Sequence, residues 1–412
     1  MEEDTYLVLR ISVAEPEAFD PFGPYGMRDL GEGGGEAEVE VQVETQALDD
    51  QDYREARRDP GVAGIARPMP LRLIAPVAVP EAAEAGGVQA RPAHEHGATW
   101  GVAVTGALAS PYVGRNVTVA VLDTGIDAGH EAFAGVELVQ KDFTGEGGGD
   151  AHGHGTHVAG TILGRTTSGL RYSVAPAVPK TLIGKVLGKE HSATTVELVQ
   201  AISWAADAGA HVINMSLGFD FPGLVKWWVG KGLEADLATS RALAQYRDNV
   251  RLFDRLVGVL QARAAYAAGA LIVAAAGNES RRNVRADYAI EVSPPAAADE
   301  IVSVAAVGTP GAPHEALSVA YFSNIRAAVA GPGVGVYSAK AGGGYTYMNG
   351  TSMASPHVAG VAALWAERQL QRNGVVNARA LGDQVRGNAR RDRLPGAKYQ
   401  DVGEGLALAP QD

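Results

Sequence analysis

Hydrophobic and polar positions fall into two textures along the chain. Over the first 95 or so residues the apolar runs are short and interrupted. Tyr6 to Val13 predicts a strand, and Glu36 to Val43 alternates Glu or Gln with Ala or Val, the period of a half-buried strand. The polar stretch Asp49 to Arg58 predicts a short helix. Val62 to Val77 is apolar but broken by prolines, which suits an edge strand or an extended segment. Pro80 to Gly97 is rich in Ala, Gly, Pro and Glu, a linker composition. Beyond it the runs lengthen. Val117 to Leu122 is unbroken and apolar, as a strand buried on both faces must be. His154 to Leu163 predicts a helix. Thr181 to Val186 and His211 to Met215 are apolar runs separated by a helical stretch, Thr195 to Ala208. Leu271 to Ala276 and Ile301 to Val307 are further buried strands, and Ser352 to about Gln371 is a helix. Strands alternating with helices predict an α/β fold with a mostly parallel sheet and helices on both faces.

One long pattern stands apart. Leu233 to Ala268 carries Leu237, Leu243, Tyr246, Val250, Phe253, Val257 and Leu260 at helical spacing, with Arg and Asp opposite. Trp227 and Trp228 precede it. This segment reads either as a lid, exosite or partner surface, which the paired indoles favour, or as a packed surface elaboration.

Composition narrows the function. The 412 residues suffice for a large domain and a smaller one. The absence of cysteine excludes disulfides, thiol nucleophiles and thiolate metal sites. A formal charge of -12 disfavours nucleic-acid binding, which needs a basic face. The start Met1-Glu2-Glu3-Asp4 is acidic, and the apolar strip after it is short and holds Arg10, unlike a secretory signal. No run approaches the ~20 apolar residues of a membrane helix. The expectation is a cytoplasmic protein with no membrane role, signal-independent export remaining open.

Three segments carry chemistry. The buried strand before Asp123-Thr124-Gly125 ends in a carboxylate, at the strand end where α/β sheets place their sites; the alternative is a turn-capping Asp. His154 opens a helix in His154-Gly155-Thr156-His157, among small residues that leave its ring accessible as a general base. Metal binding by His154 and His157 is the competing reading, but no third ligand has matching spacing. Ser352, in Asn349-Gly350-Thr351-Ser352-Met353-Ala354-Ser355-Pro356-His357, sits in a first helical turn, where the hydroxyl is exposed and backbone N–H groups point at a developing oxyanion; the alternative is a plain helix cap.

Asp, then His, then Ser is one of the known chain orders of the serine-protease triad. With these motifs the chain resembles the subtilase family of serine proteases from about residue 97 onward, including Thr99-Trp100-Gly101 and Gly403-Glu404-Gly405-Leu406. The resemblance implies a subtilisin-like three-layer domain acting on polypeptides. It implies Ser352 as nucleophile, His154 as base, Asp123 as the group orienting His154, and His157 and His357 as structural neighbours. It also implies Asn278, in Ala275-Ala276-Gly277-Asn278, as an oxyanion donor, an Asn in a turn being the alternative. Ser216, Leu217 and Gly218 become an edge strand for substrate, and with Ala275, Ala276 and Gly277 they wall the pocket for the residue before the cut. Glu279 is placed near the floor of that pocket, where it would admit basic side chains.

The family pattern is departed from at three places. The loop Gly164 to Arg171, where many relatives bind calcium, offers two arginines and no carboxylate, so that calcium site is expected to be absent, no cofactor is required, and calcium elsewhere stays open. The segment at about 219–265 is an insertion. Residues 1–95 occupy the position of a propeptide, a small α+β inhibitory domain and linker before a catalytic domain over 96–412. Asp59-Pro60-Gly61-Val62-Ala63 resembles the propeptide stretch before its last strand, and cleavage is expected within 70–98 if it occurs. The expected function is a serine endopeptidase made as an N-terminally inhibited precursor, its own N-terminal segment a partner. The alternatives are acyl transfer to an amine, as in a cyclase, and a non-catalytic peptide-binding module.

Overall fold

The computed structural model describes residues 5–13, 39–78, 97–167, 169–188, 192–263, 269–309 and 316–412. The expected linker lies outside these except for Gly97. In chain order the N-terminal elements are β1 (Thr5–Val13), β2 (Val39–Ala47), α1 (Asp50–Ala56), β3 (Val62–Ala66) and β4 (Pro70–Leu73). β2 begins later than expected, and residues 36–38 are not described. β1 lies between β2 and β3 in an antiparallel sheet. Asp49 caps α1 by accepting from the N–H groups of Gln51 and Asp52. The apolar stretch 62–77 divides into β3 and β4 around Pro68 and Pro70. Proline cannot donate to a ladder, and here β4 leaves the first sheet. It pairs instead with residues more than 100 positions away.

The larger unit contains α2 (Trp100–Val104), β5 (Thr118–Asp123), β6 (Glu137–Asp142), α3 (His154–Leu163), β7 (Lys180–Lys185), β8 (Ser192–Thr194) and α4 (Thr195–Asp207). It continues with β9 (Val212–Met215), β10 (Leu217–Phe219), α5 (Phe221–Gly230), α6 (Ala235–Arg263), β11 (Leu271–Ala275), β12 (Val302–Gly308), β13 (Ser318–Val319) and β14 (Val329–Pro332). The last elements are β15 (Val336–Ala339), β16 (Tyr345–Met348), α7 (Thr351–Asn373), α8 (Ala378–Gly387) and α9 (Tyr399–Val402). The main sheet runs β13-β12-β11-β9-β5-β7-β6, with β14 also on β12. Its pairs are parallel except β12 with β13.

Both faces are covered, which explains the unbroken apolar strands. On β5, Val119 and Val121 join a core with Val158 and Ile162 of α3 and Val358 and Leu364 of α7. Ala120 and Leu122 join a second core with Leu198 and Ile202 of α4 and Phe253 and Leu256 of α6. Leu7 and Leu9 of β1 belong to that second core too. The N-terminal sheet therefore packs on the helical face and shares its hydrophobic interior.

The segment expected as an insertion forms α5 and α6, and its stripe differs from the sequence expectation. Leu237 and Leu243 are exposed, whereas Ala238, Ala242, Gln245 and Asn249 are buried beside Leu252, Leu256 and Leu260. The helix is rotated toward the N-terminal segment, whose backbone needs polar partners. Gln245 donates to the carbonyl of Pro68 at 2.5 Å, and Asn249 to that of Arg67 at 2.8 Å. Asn249 Oδ1 in turn accepts from Thr195, whose hydroxyl oxygen receives the N–H of Met69. Under β3, a Cβ on Gly64 would press into Leu252. Of the two indoles, Trp228 is buried in the core and Trp227 packs edge-on against it, so Trp228 stabilises the insertion rather than offering an exposed contact.

Asn249→Ala removes the donations to Arg67 and Gln245 and the acceptor of the Thr195 hydroxyl, a loss of about 1–3 kcal/mol. Amide exchange in β3 and β4 is expected to accelerate while the main sheet stays protected. Equal protection of 62–73 in variant and wild type would show that α6 does not hold the segment.

Candidate active site

β5 ends at Asp123, and α3 begins at His154 after Gly153, which adopts φ 88°. His154 Nδ1 lies 2.8 Å from Asp123 Oδ1, and both side chains are buried. A carboxylate only accepts, so Nδ1 carries the proton and the Nε2 lone pair is free to act as a base. Nε2 has no hydrogen-bond partner among the described residues. Asp123 Oδ1 also receives the N–H of Thr124 at 2.8 Å.

Asp150 holds this corner together. It accepts from the hydroxyls of Thr124 and Thr156 and from the N–H groups of Gly153 and Thr156. Burial pushes its pKa up, but these donors outweigh it and the net shift is downward. Sequence reading missed Asp150; its only signal was its place in the glycine run before His154.

Ser352 is the second residue of α7, which starts after Gly350. A Cβ on Gly350 would approach Asn278 Nδ2 to 3.0 Å. Asn278 Oδ1 accepts from both the N–H and the hydroxyl of Thr351, each at 2.9 Å. That fixes which end of the amide faces the cleft: Nδ2 points outward as a donor. Gly277, at φ 110°, donates its N–H to the Thr351 hydroxyl. Thr351 is thus a positioning residue that the motif contained but the sequence reading did not single out. Asn214 and Ser355 bond to each other, and the Ser216 hydroxyl donates to the Ser352 carbonyl, tying α7 to β9 and β10.

Of the four expected residues, the structure pairs Asp123 with His154, and Asn278 with Thr351 beside Ser352; the Ser352 hydroxyl bonds the Ile74 carbonyl and not His154. Leu217 and Gly218 form an edge, as expected, but it is occupied. β4 lies between β10 and β8, with Arg72 opposite Gly218 on one side and Ser192 on the other. Past β4, Ser352 Oγ donates to the Ile74 carbonyl at 2.7 Å, and Asn278 Nδ2 donates to the Ala75 carbonyl at 2.9 Å. Val77 and Asn349 exchange two hydrogen bonds, and the Tyr321 hydroxyl donates to Ala78. Ile74 is buried, and a Cβ on Gly218 would lie 3.5 Å from its Cδ1. Ala275 ends β11, and Ala276 joins a core with Trp100 and Val104. Glu279 bonds Asn324 and the guanidinium of Arg72.

Two other histidines are fixed in the interior. His157 Nε2 donates to the carbonyls of Val336 and Thr346, and burial lowers its pKa to about 3. His357 Nδ1 donates to Met353, and burial lowers its pKa to about 4. Gly101 is required above it, since a Cβ there would overlap His357 Nε2. Among the described residues no group of three or more His, Cys, Asp or Glu could hold a metal ion. In the loop after α3, Arg165 donates to the carbonyls of Ala134, Pro176 and Val178, and Arg171 to those of Ser173 and Val174. No helix among the described residues is long and apolar enough to cross a membrane.

The profile of the Subtilase family matches residues 114–386. Subtilisin DY of Bacillus licheniformis is 38% identical over 263 residues, covering 62% of this chain and 78% of its own. The major intracellular serine protease of Bacillus subtilis (strain 168) is 33% identical over 273 residues, covering 63% and 72%. A crystal structure of a cold adapted subtilisin-like serine proteinase superposes with a TM-score of 0.53 at 27% identity, covering 77% of this chain and all of that one.

The buried histidines make stability depend on pH. Unfolded, each takes up a proton near pH ~6.5; folded, each stays neutral to much lower pH. The unfolded chain then binds more protons, so stability is complete above about pH 6.5 and falls as pH drops toward the folded values, by up to ~1.4 kcal/mol per unit per histidine. Urea midpoints at about pH 8, 6 and 5 should show this decline. Constant midpoints would mean the rings are hydrated in the folded state.

Proposed function

The chain belongs to the subtilase family and is a subtilisin-like serine endopeptidase, and on that footing we propose that Ser352, His154 and Asp123 hydrolyse peptide bonds in a chain made as a precursor that residues 69–78 hold inactive. Ser352 Oγ attacks the carbonyl and passes its proton to His154 Nε2. His154 returns that proton to the leaving amine, and Asp123 steadies the imidazolium. Water then repeats the sequence on the acyl-enzyme. Asn278 Nδ2 and the Ser352 N–H receive the oxyanion. The observation that carries this reading is the Nδ1–H bond to Asp123, which leaves Nε2 as the one basic nitrogen of His154.

Inhibition is supported by the register of residues 74 and 75. In a productive complex the nucleophile attacks the same carbonyl whose oxygen the amide donor holds. Here Ser352 bonds the carbonyl of Ile74 while Asn278 bonds that of Ala75. The two stations engage successive carbonyls, so neither peptide bond is set for attack. The hydroxyl proton of Ser352 is also committed to Ile74 rather than to His154. Pro76 makes the bond after Ala75 a tertiary amide, which leaves no N–H there for pairing. The insertion supports the same reading through Gln245 and Asn249, which hold the segment just before β4.

In the loop after α3, guanidinium groups bond the carbonyls that a calcium ion would otherwise attract, so we read the loop as cation-independent. A cytoplasmic location is our reading, in keeping with relatives named as intracellular serine proteases.

A fluorophosphonate tests the assignment. Wild type should take one adduct slowly at Ser352, Leu71→Asp, which disrupts β4, should take it at least roughly tenfold faster, and Ser352→Ala should take none. Rapid labelling of wild type and variant alike would sink the inhibited-precursor reading. On an activated enzyme, Asn278→Leu is expected to lower kcat by about 10²–10³, the loss known for the corresponding donor of subtilisin itself.

A further inference from the structure

The guanidinium of Arg72 is held by two carboxylates of the catalytic domain. Nη2 lies 2.7 Å from Glu279 Oε1 and Nη1 lies 3.3 Å from Asp220 Oδ1. Neither carboxylate is drawn there by the arginine alone. Glu279 Oε2 receives the amide of Asn324, itself buried, at 2.7 Å. Asp220 follows β10 and caps α5 by accepting from the Gly223 N–H. The pair is thus positioned by the fold beside the strand that β4 occupies. β4 follows the track of a substrate: it pairs antiparallel with β10, and its continuation lies on Ser352 and Asn278. Arg72 is two residues ahead of Ile74, so in an extended chain their side chains leave on the same face, while Leu71 and Leu73 enter the core.

When residues 69–78 are displaced, two carboxylates remain facing the track without this cation. Resting on the reading of β4 as a substrate mimic, we infer that Asp220 and Glu279 form a subsite selecting a basic residue two positions before the one whose carbonyl lies at Ser352. The substrates are peptides with arginine at that position and an apolar residue two places on. Arginine is favoured over lysine because its planar fork can address both carboxylates, whereas an ammonium is a single compact charge. The side chains are about one-third exposed, so the preference is moderate and sensitive to salt.

The test uses the full chain carrying Leu71→Asp, which disrupts β4 and frees the cleft, together with Arg72→Ala, which removes the resident guanidinium, with active sites counted by fluorophosphonate. Its substrates are the coumarylamides of acetyl-Leu-Arg-Leu-Ile, which copies residues 71–74, and of the matched Gln and Lys peptides. The expected kcat/KM order is Arg, Lys, Gln, with Arg over Gln by about fivefold. That ratio should fall toward one in Glu279→Gln and in Asp220→Asn, and also when salt is raised from about 0.05 to about 0.5 M. Hydrolysis of all three peptides at rates within twofold, or a ratio untouched by both variants and by salt, overturns the subsite alone. Failure of protein that labels at Ser352 to cut any of the peptides overturns the substrate-mimic reading with it.

Discussion

The cleft depends on how closely one buried helix can approach its neighbours. Residues 351–366 of α7 are buried throughout. The surrounding chain reaches them through positions without side chains. A Cβ on Gly331 would meet the backbone of Ala354, one on Gly360 would meet Val174, and one on Gly101 would meet His357. Gly160 similarly brings α3 against Ser338 and Ala339. Ser352, His154 and Asn278 come from three separate elements, so their alignment is set by these approaches. A shift of a few tenths of an ångström at any of them moves Ser352 relative to both His154 and Asn278. At its far end α7 is anchored again, where the buried Glu367 carboxylate receives the N–H groups of Val113, Gly114 and Arg115.

The segment 69–78 uses the donors and acceptors that a bound peptide would use. Its backbone pairs with both rims of the cleft, and its carbonyls satisfy Ser352 and Asn278. On the proposed reading, this segment and a substrate are therefore mutually exclusive by geometry and need no conformational signal to compete. The same reading separates them by the one-residue offset between the two stations, with Ile74 on Ser352 and Ala75 on Asn278.

The sheet was legible because strands buried on both faces must be continuously apolar, and Val117 to Leu122 could be little else. The Asp123–His154 pair and the place of Ser352 in a first helical turn were legible because their motifs fix residue types among small residues. Other features were hidden for physical reasons. The stripe of α6 was misphased because its first turns bury amides against carbonyls, a demand that hydropathy cannot register. β4 looked like an edge strand because of its prolines, yet it is the middle strand of its sheet, with partners at 192–194 and 217–219 that no local pattern reveals. Asp150 and Thr351 act through the groups they orient, so nothing in their own neighbourhood marks them except proximity to the motifs.

The strap formed by residues 69–78 ends at Ala78, and the described chain resumes at Gly97. If this strap inhibits as proposed, then while the chain is whole it is presented to the cleft at an effective concentration that dilution cannot lower. A single cut between them would remove none of the hydrogen bonds described above, yet it would change the molecularity of inhibition. The strap would become a separate ligand, and the fraction of free enzyme would then rise as the protein is diluted. On that reading, cutting the chain and opening the cleft are distinct events, and the second is governed by concentration.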